Sequence, residues 1–138
     1  MNTTTITVET VVNASIEKIW NCWNEPQHIT QWNQASEDWC APRAINDLRT
    51  GGKFLTRMEA KDGSVGFDFE GTYSAVENHK QIEYIIADGR KVKIQFLKQG
   101  NAYKIIESFE AETTNSIDLQ KGGWQAILNS FKKYVETH

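Results

Sequence analysis

The chain has 138 residues, a length that predicts one domain with a single sizeable core. Apolar residues make up 39% and charged residues 24%, which is a globular composition and excludes wholesale disorder. The formal net charge is −3 and the basic residues are scattered, so the clustered basic face of a nucleic-acid-binding protein is excluded. No apolar run reaches the roughly 18 residues of a membrane span, and the polar N-terminus does not resemble a signal peptide. We therefore expect a cytoplasmic protein without membrane insertion.

The first third of the chain predicts one strand followed by two helices. Residues 5–12 alternate and are rich in β-branched side chains, which indicates a strand. Ser15 is a good N-cap for a helix over residues 16–24, where apolar side chains recur at spacings of three and four. A proline at a first helical position begins a short second helix over residues 26–32. Residues 33–42 are predicted to be irregular.

From Arg43 onward the hydrophobic pattern has a period of two, which predicts a series of strands. Short connections rich in glycine, asparagine and aspartate separate them, so the strands are expected to form an antiparallel meander. The predicted strands are 43–48, 53–60, 66–77, 81–87, 91–98 and 102–111.

A long amphipathic helix is predicted at the C-terminus. Ser116 can cap it, and an apolar stripe follows, made of Trp124, Ile127, Leu128, Phe131 and Val135. Gly122 and Gly123 each lower helix propensity by roughly 1 kcal/mol, unless a close packing contact requires small residues there.

This order of elements predicts an α+β helix-grip fold over residues 1–138, with a curved antiparallel sheet wrapped around the C-terminal helix. The apolar face of such a sheet needs a cover, and the last helix is the long amphipathic element that can supply it. The helix-grip architecture is that of START domains and of the birch-pollen allergen. We expect no second domain.

Five segments carry a family resemblance. Residues 11–20 are similar to the strand-to-helix opening of START-like polyketide-cyclase (SRPBCC) proteins, and residues 26–32 to their short second helix, which ends in tryptophan. Residues 47–54 contain the D-x-R-x-G-G strand-turn of one branch, and residues 69–73 and 122–124 complete the series. Together they resemble the C-terminal domain of the activator of heat-shock protein 90 ATPase.

The resemblance implies the helix-grip fold and two kinds of partner. Relatives of this fold range from lipid carriers to cyclases, so a small apolar or amphipathic molecule is the first expectation. A chaperone is the second, although the activator uses an additional N-terminal domain for its main chaperone contact, for which 138 residues leave no room. The oligomeric state does not follow from the sequence.

The ligand is expected in a cavity between the sheet and the last helix. Four of the five tryptophans fall within residues 20–39, and large rings around one opening suit the mouth of an apolar cavity. Trp20 is assigned instead to packing of the helices onto the sheet. The predicted cavity residues are Trp32, Trp39, Phe54, Met58, Phe69, Tyr84, Tyr103, Glu107, Trp124 and Leu128.

Two acidic positions have alternative interpretations. Glu107 interrupts an otherwise apolar inward face, and it is either a polar handle for a ligand, a salt-bridged structural group, or a residue turned outward by a bulge. Asp47 and Arg49 share one face of their strand. They form either a surface ion pair with each other or part of the cavity rim.

The sequence contains no motif for catalysis or metal binding. Cys22 and Cys40 are interpreted as reduced thiols, and the three histidines lie in unrelated segments. We therefore expect no catalytic residues, no metal and no cofactor. Binding of a small hydrophobic or amphipathic molecule is the favoured function, a chaperone-related interaction is the alternative, and a cyclase- or hydrolase-like enzyme ranks third.

Overall fold

A computed structural model describes residues 4–138. Seven strands form one antiparallel sheet, and three helices cover its inward face. The elements in chain order are β1 (Thr5–Val12), α1 (Ile16–Asn24), α2 (Pro26–Trp32), β2 (Trp39–Asn46), β3 (Lys53–Ala60), β4 (Gly66–Glu77), β5 (Gln81–Ile86), β6 (Lys91–Gln99), β7 (Ala102–Glu110) and α3 (Ile117–Thr137).

The sheet order is β1-β7-β6-β5-β4-β3-β2, so every strand after β1 is next to its sequence neighbour. This is the meander that the short turns predict. Strand β1 pairs with β7 and forms one edge of the sheet. The C-terminal helix α3 lies on the inward face. The predicted helix-grip fold is therefore confirmed.

Both longer helices begin where the sequence places their caps. The hydroxyl of Ser15 accepts a hydrogen bond from the amide of Lys18, and Ser116 accepts one from Leu119. These bonds satisfy amides that have no partner inside the helix. The predicted bounds of α1 and α2 agree with the structure.

The prediction of an irregular segment over residues 33–42 is wrong at its end. Strand β2 begins at Trp39, which pairs with Ala60, and its register against β3 shifts between Cys40 and Arg43. Pro42 lies in this interval. A proline cannot donate to the ladder, but an edge strand with a bulge tolerates it, and β2 is the edge strand of the sheet. Pro42 interrupts the alternation of apolar and polar residues, so the hydrophobic pattern does not predict the start of β2.

The core is most tightly filled beneath the C-terminal half of α3. Leu128, Phe131 and Val135 are fully buried there, against residues such as Ile19 and Val12, which are buried as completely. Complete burial of large apolar side chains is the main favourable contribution to folding. No helix within residues 4–138 is long and apolar enough to cross a membrane.

Candidate functional site

A cavity of about 250 Å³ lies between the sheet, the helices α1 and α2, and the N-terminal half of α3. An engineered protein cavity of about 150 Å³ binds benzene. The space here is therefore large enough for a ring compound with a short substituent. Phe67 and Ile45 line it and are 49% and 68% exposed, so they mark its mouth.

Aromatic rings form a large part of the cavity wall. Phe54, Phe69 and Trp124 point inward yet remain only partly buried, because part of each ring faces the cavity while the rest packs on neighbouring rings. A wall of this kind is typical of small-molecule sites. The eight aromatic lining residues are Trp23, Trp32, Phe54, Phe67, Phe69, Tyr73, Tyr84 and Trp124.

A glycine in β4 makes room for the ring of Phe54. A Cβ atom at Gly71 would lie 2.9 Å from that ring and 2.6 Å from the carbonyl oxygen of Ile85. Only glycine allows the ring to lie this close to the strand. Phe54 then packs against Tyr84, with ring centroids 4.7 Å apart.

Trp124 forms the helix side of the wall. Its ring stacks on Phe109 with a centroid separation of 3.8 Å and an interplanar angle of 11°, and it meets the edge of Phe69 at 6.1 Å. Stacking on one face leaves the rest of the ring to the cavity. The helix residue next in line along the same wall is Ile127.

Trp32 fixes the short helix α2 over the cavity. Its indole nitrogen donates a hydrogen bond of 2.8 Å to the carbonyl oxygen of Cys22 in α1. The hydroxyl of Ser130 in α3 donates one of 2.7 Å to the carbonyl oxygen of Trp32. These bonds join the three helices, so the ring is held in place at the cavity wall.

Glu107 lies inside the cavity and is only 7% exposed. It pairs in regular register with Val8 on one side and Ile94 on the other, so no bulge turns it outward. Within residues 4–138, its carboxyl group forms no ion pair or hydrogen bond, and its oxygens border the open space of the cavity. Two of the three interpretations of Glu107 are therefore wrong, and the polar handle remains.

Burial raises the pKa of the Glu107 carboxyl to about 8, because the charged form loses its hydration. The group is therefore mostly protonated at neutral pH and can both donate and accept a hydrogen bond. Burial also raises the pKa of Tyr84, and the nearby Glu107 adds to that rise. Both side chains present uncharged polar groups to the cavity.

Polar side chains cluster at the other end of the lining. The hydroxyl of Tyr73 donates to the side-chain oxygen of Asn46, whose amide nitrogen donates 2.7 Å to the carbonyl oxygen of Asn24. This chain of bonds ties β2 to α1 and β4. These bonds engage the side chains of Tyr73 and Asn46. The carboxyl of Glu107 and the hydroxyls of Thr56 and Tyr84 also line the cavity, and none of them forms a hydrogen bond within the described residues.

The cavity brings together seven of the ten predicted site residues: Trp32, Phe54, Met58, Phe69, Tyr84, Glu107 and Trp124. Trp39, Tyr103 and Leu128 do not line it. Trp39 packs against Phe67 on the edge of the sheet. Tyr103 lies four residues from Glu107 along β7, roughly 13 Å away at the usual rise of a strand. Leu128 is fully buried in the filled part of the core.

The cavity also contains residues that the predicted site omitted. Thr56, Tyr73 and Ile82 lie on the inward face that alternation identifies, so the pattern contained the signal for them. Trp23 continues the apolar stripe of α1. Asn46 and Arg90 had no such signal, because they lie at the end of a strand and in a turn. Trp20 packs against Phe96 and does not line the cavity.

The remaining candidates lie outside the cavity. Arg49 and Asp47 form an exposed ion pair of 3.0 Å, which is the surface interpretation of this motif. The glycine pair in α3 makes no close packing contact, because a Cβ atom at Gly122 or Gly123 would meet nothing within 4 Å. Both cysteines are free, and no three metal-ligand side chains cluster in residues 4–138.

The fold and sequence match proteins of known structure. An AHSA1-like protein from Aeromonas hydrophila is 42% identical, with a TM-score of 0.91, and the match covers 97% of this chain and 93% of that one. A protein from Cytophaga hutchinsonii is 57% identical, with a TM-score of 0.83 and coverage of 96% and 92%. A protein from Chromobacterium violaceum shares the fold at 18% identity and a TM-score of 0.84.

No functionally curated protein matches the chain. The model of the family "Activator of Hsp90 ATPase homolog 1-like protein" matches residues 13–136, which is nearly the whole chain. The resemblance seen in the five sequence segments is thereby confirmed. The chain belongs to the Activator of Hsp90 ATPase homolog 1-like family, within the START-like (SRPBCC) superfamily.

Proposed function

We propose that this protein binds a small amphipathic molecule in the cavity between the sheet and α3. The observation that carries the proposal is a buried carboxyl group, that of Glu107, which faces an aromatic-walled space without a partner. Its oxygens border the cavity and have no protein partner, so a polar group of a bound ligand can form a hydrogen bond with them. Apolar rings around it provide the hydrophobic contribution to binding.

The cavity volume sets the ligand's size. About 250 Å³ accommodates one or two fused rings, whereas a long acyl chain would extend through the mouth near Phe67 and Ile45. We therefore place the apolar part of the ligand against Phe54, Phe69 and Trp124. Its polar group lies toward Glu107.

A calorimetric titration with a panel of one- and two-ring compounds, each with one polar substituent, tests the proposal. We expect saturable binding with micromolar to millimolar affinity. The variant Ile127→Trp adds a ring to the cavity wall and should abolish binding. Leu97→Trp, at a 44% exposed position on β6 outside the lining, is the matched control and should bind as wild type does. Absence of saturable binding for the whole panel would contradict the proposal.

A chaperone-related interaction is the alternative function, since the family takes its name from an activator of Hsp90 ATPase. The discriminating experiment measures the ATPase rate of the organism's own chaperone with and without this protein. We expect no appreciable stimulation. Several-fold stimulation, together with a null result for the ligand panel, would replace ligand binding with the interaction role.

A further inference from the structure

Among the described residues of the cavity lining, no positively charged side chain pairs with Glu107. The other charged residue of the lining is Arg90, whose Nε donates 2.8 Å to the carboxylate of Asp88. A terminal nitrogen of the same guanidinium donates to the carbonyl oxygen of Glu110. Arg90 is thus occupied at the end of the cavity. Among the described residues, none forms an ion pair with Glu107.

The cavity that Glu107 lines has an aromatic wall that can attract a cation. Eight aromatic rings line the cavity, and they come from all three helices and from β3, β4 and β5. The faces of such rings attract an ammonium group. A carboxylate ligand would be repelled by an ionised Glu107, and an alcohol would gain hydrogen bonds but no ion pair. An amine gains an ion pair and the attraction of the rings.

We propose that the ligand of this cavity is a primary or secondary amine on an apolar ring, whose ammonium group pairs with Glu107. This inference rests on the proposed function and specifies the ligand's chemical class. The ring lies against Phe54, Phe69 and Trp124. The ammonium group lies on the inward face of β7, where Ile82 and Ile94 complete an apolar surrounding.

Binding of an amine then releases a proton. In the free protein the carboxyl is protonated at neutral pH, because its pKa is about 8. When the ammonium group binds, the O–H bond of Glu107 breaks and its proton passes to the solvent, while the amine remains charged. The other titratable groups of the lining are Tyr73 and Tyr84, which burial keeps neutral, and Arg90, which is paired with Asp88.

This proton balance fixes the direction of the pH dependence. The amine competes with the proton at Glu107, so its affinity should rise by roughly tenfold or more between pH 6 and pH 8.5. The affinity of a neutral compound that accepts a hydrogen bond from protonated Glu107 should instead fall as the pH rises from 6 to 8.5.

The test uses three compounds that share a benzene ring: 2-phenylethylamine, 2-phenylethanol and phenylacetate. Calorimetric titrations of the 138-residue protein at pH 6, 7 and 8.5, each in two buffers of different ionisation enthalpy, give affinity and proton release. We expect the amine to bind at least tenfold more tightly than the other two at pH 8.5. Close to one proton should be released per amine at pH 7.

Glu107→Gln keeps the shape of the protonated side chain but cannot become charged. It should lower amine affinity at least tenfold at pH 8.5 and remove the proton release. At pH 6, where Glu107 is protonated, it should change 2-phenylethanol affinity less than twofold. Glu83→Gln, on the outer face of β5, is the control and should leave all three affinities unchanged.

The outcomes separate this inference from the proposed function. If 2-phenylethanol or phenylacetate binds as tightly as the amine, or if amine affinity falls as the pH rises, the amine assignment is overturned and the cavity remains a binding site. If none of the three compounds binds and the broader panel also fails, the binding function itself is overturned.

Discussion

The two halves of α3 face the same sheet but pack against it differently. At the filled end, Leu128, Phe131 and Val135 leave no exposed surface. At the cavity end, Trp124 and Ile127 are partly buried and border a space of about 250 Å³. One helix thus supplies both a stabilising core and a wall of the candidate site. The comparison teaches that an amphipathic stripe identifies the buried face of a helix but does not show whether that face is filled.

The largest expected effect is the difference between two aromatic truncations. Phe131→Ala should lower the free energy of unfolding by about 3–5 kcal/mol, because it leaves a cavity in a fully packed region. Trp124→Ala should cost about 1–2 kcal/mol, because part of its ring already lacks protein neighbours. Urea melts of both variants measure the two values.

Ligand binding provides the second readout of that pair. Trp124→Ala should weaken binding of the ring compounds more than Phe131→Ala does in a protein that still folds, because Phe131 does not line the cavity and touches its wall through Trp23 and Trp32. Equal stability losses for the two variants would contradict the distinction between the filled end and the cavity end.

A second prediction concerns the pH dependence of stability. Because the folded pKa of Glu107 is about 8, well above the usual value near 4.3, the folded state retains a proton that the unfolded state loses between these values. The contribution of Glu107 to stability is therefore greatest below about pH 4 and declines as the pH rises to 8. Relative to Glu107→Gln, wild type should lose on the order of 4 kcal/mol between pH 5 and pH 9.

Urea melts of wild type and Glu107→Gln at pH 5, 7 and 9 measure this difference, and Glu83→Gln is the surface control. A constant difference between wild type and Glu107→Gln across this range would show that the carboxyl is hydrated or paired, contrary to its position in the structure.

A smaller effect is expected at the start of α3. Gly122 lies on the exposed surface of the helix with open space at its Cβ position, so Gly122→Ala should stabilise the protein by about 1 kcal/mol. Gly63 is the matched control. It also has open space, but its φ of +79° disfavours alanine, so Gly63→Ala should destabilise the protein. Thermal melts compare the two, and destabilisation by Gly122→Ala would indicate a packing role for that glycine.

Most of the fold followed from local sequence signals. The caps Ser15 and Ser116, the period-two strands and the turn glycines each correspond to an observed element. The start of β2 did not follow, because Pro42 and the register shift interrupt the alternation on which strand prediction depends.

The candidate site was less predictable than the fold. Alternation placed Phe54, Phe69 and Glu107 on the inward face, because a strand fixes the direction of each side chain. It did not separate lining from filled core, since Leu128 and Trp124 share one stripe. Nor did it reveal the unpartnered state of Glu107, which depends on the groups that β4, β5 and the β5–β6 turn bring near it.

The most direct test of the open cavity is methyl NMR of the protein titrated with 2-phenylethanol and 2-phenylethylamine. The structure predicts saturable shifts of the Met58, Ile82 and Ile127 methyl resonances, which line the cavity. The methyl resonances of Leu128, Val135 and Val12, at the filled end, should remain in place. The claim that this end of the core is a binding site would be contradicted if Met58, Ile82 and Ile127 showed no saturable shifts. Equal shifts at both ends would contradict it as well.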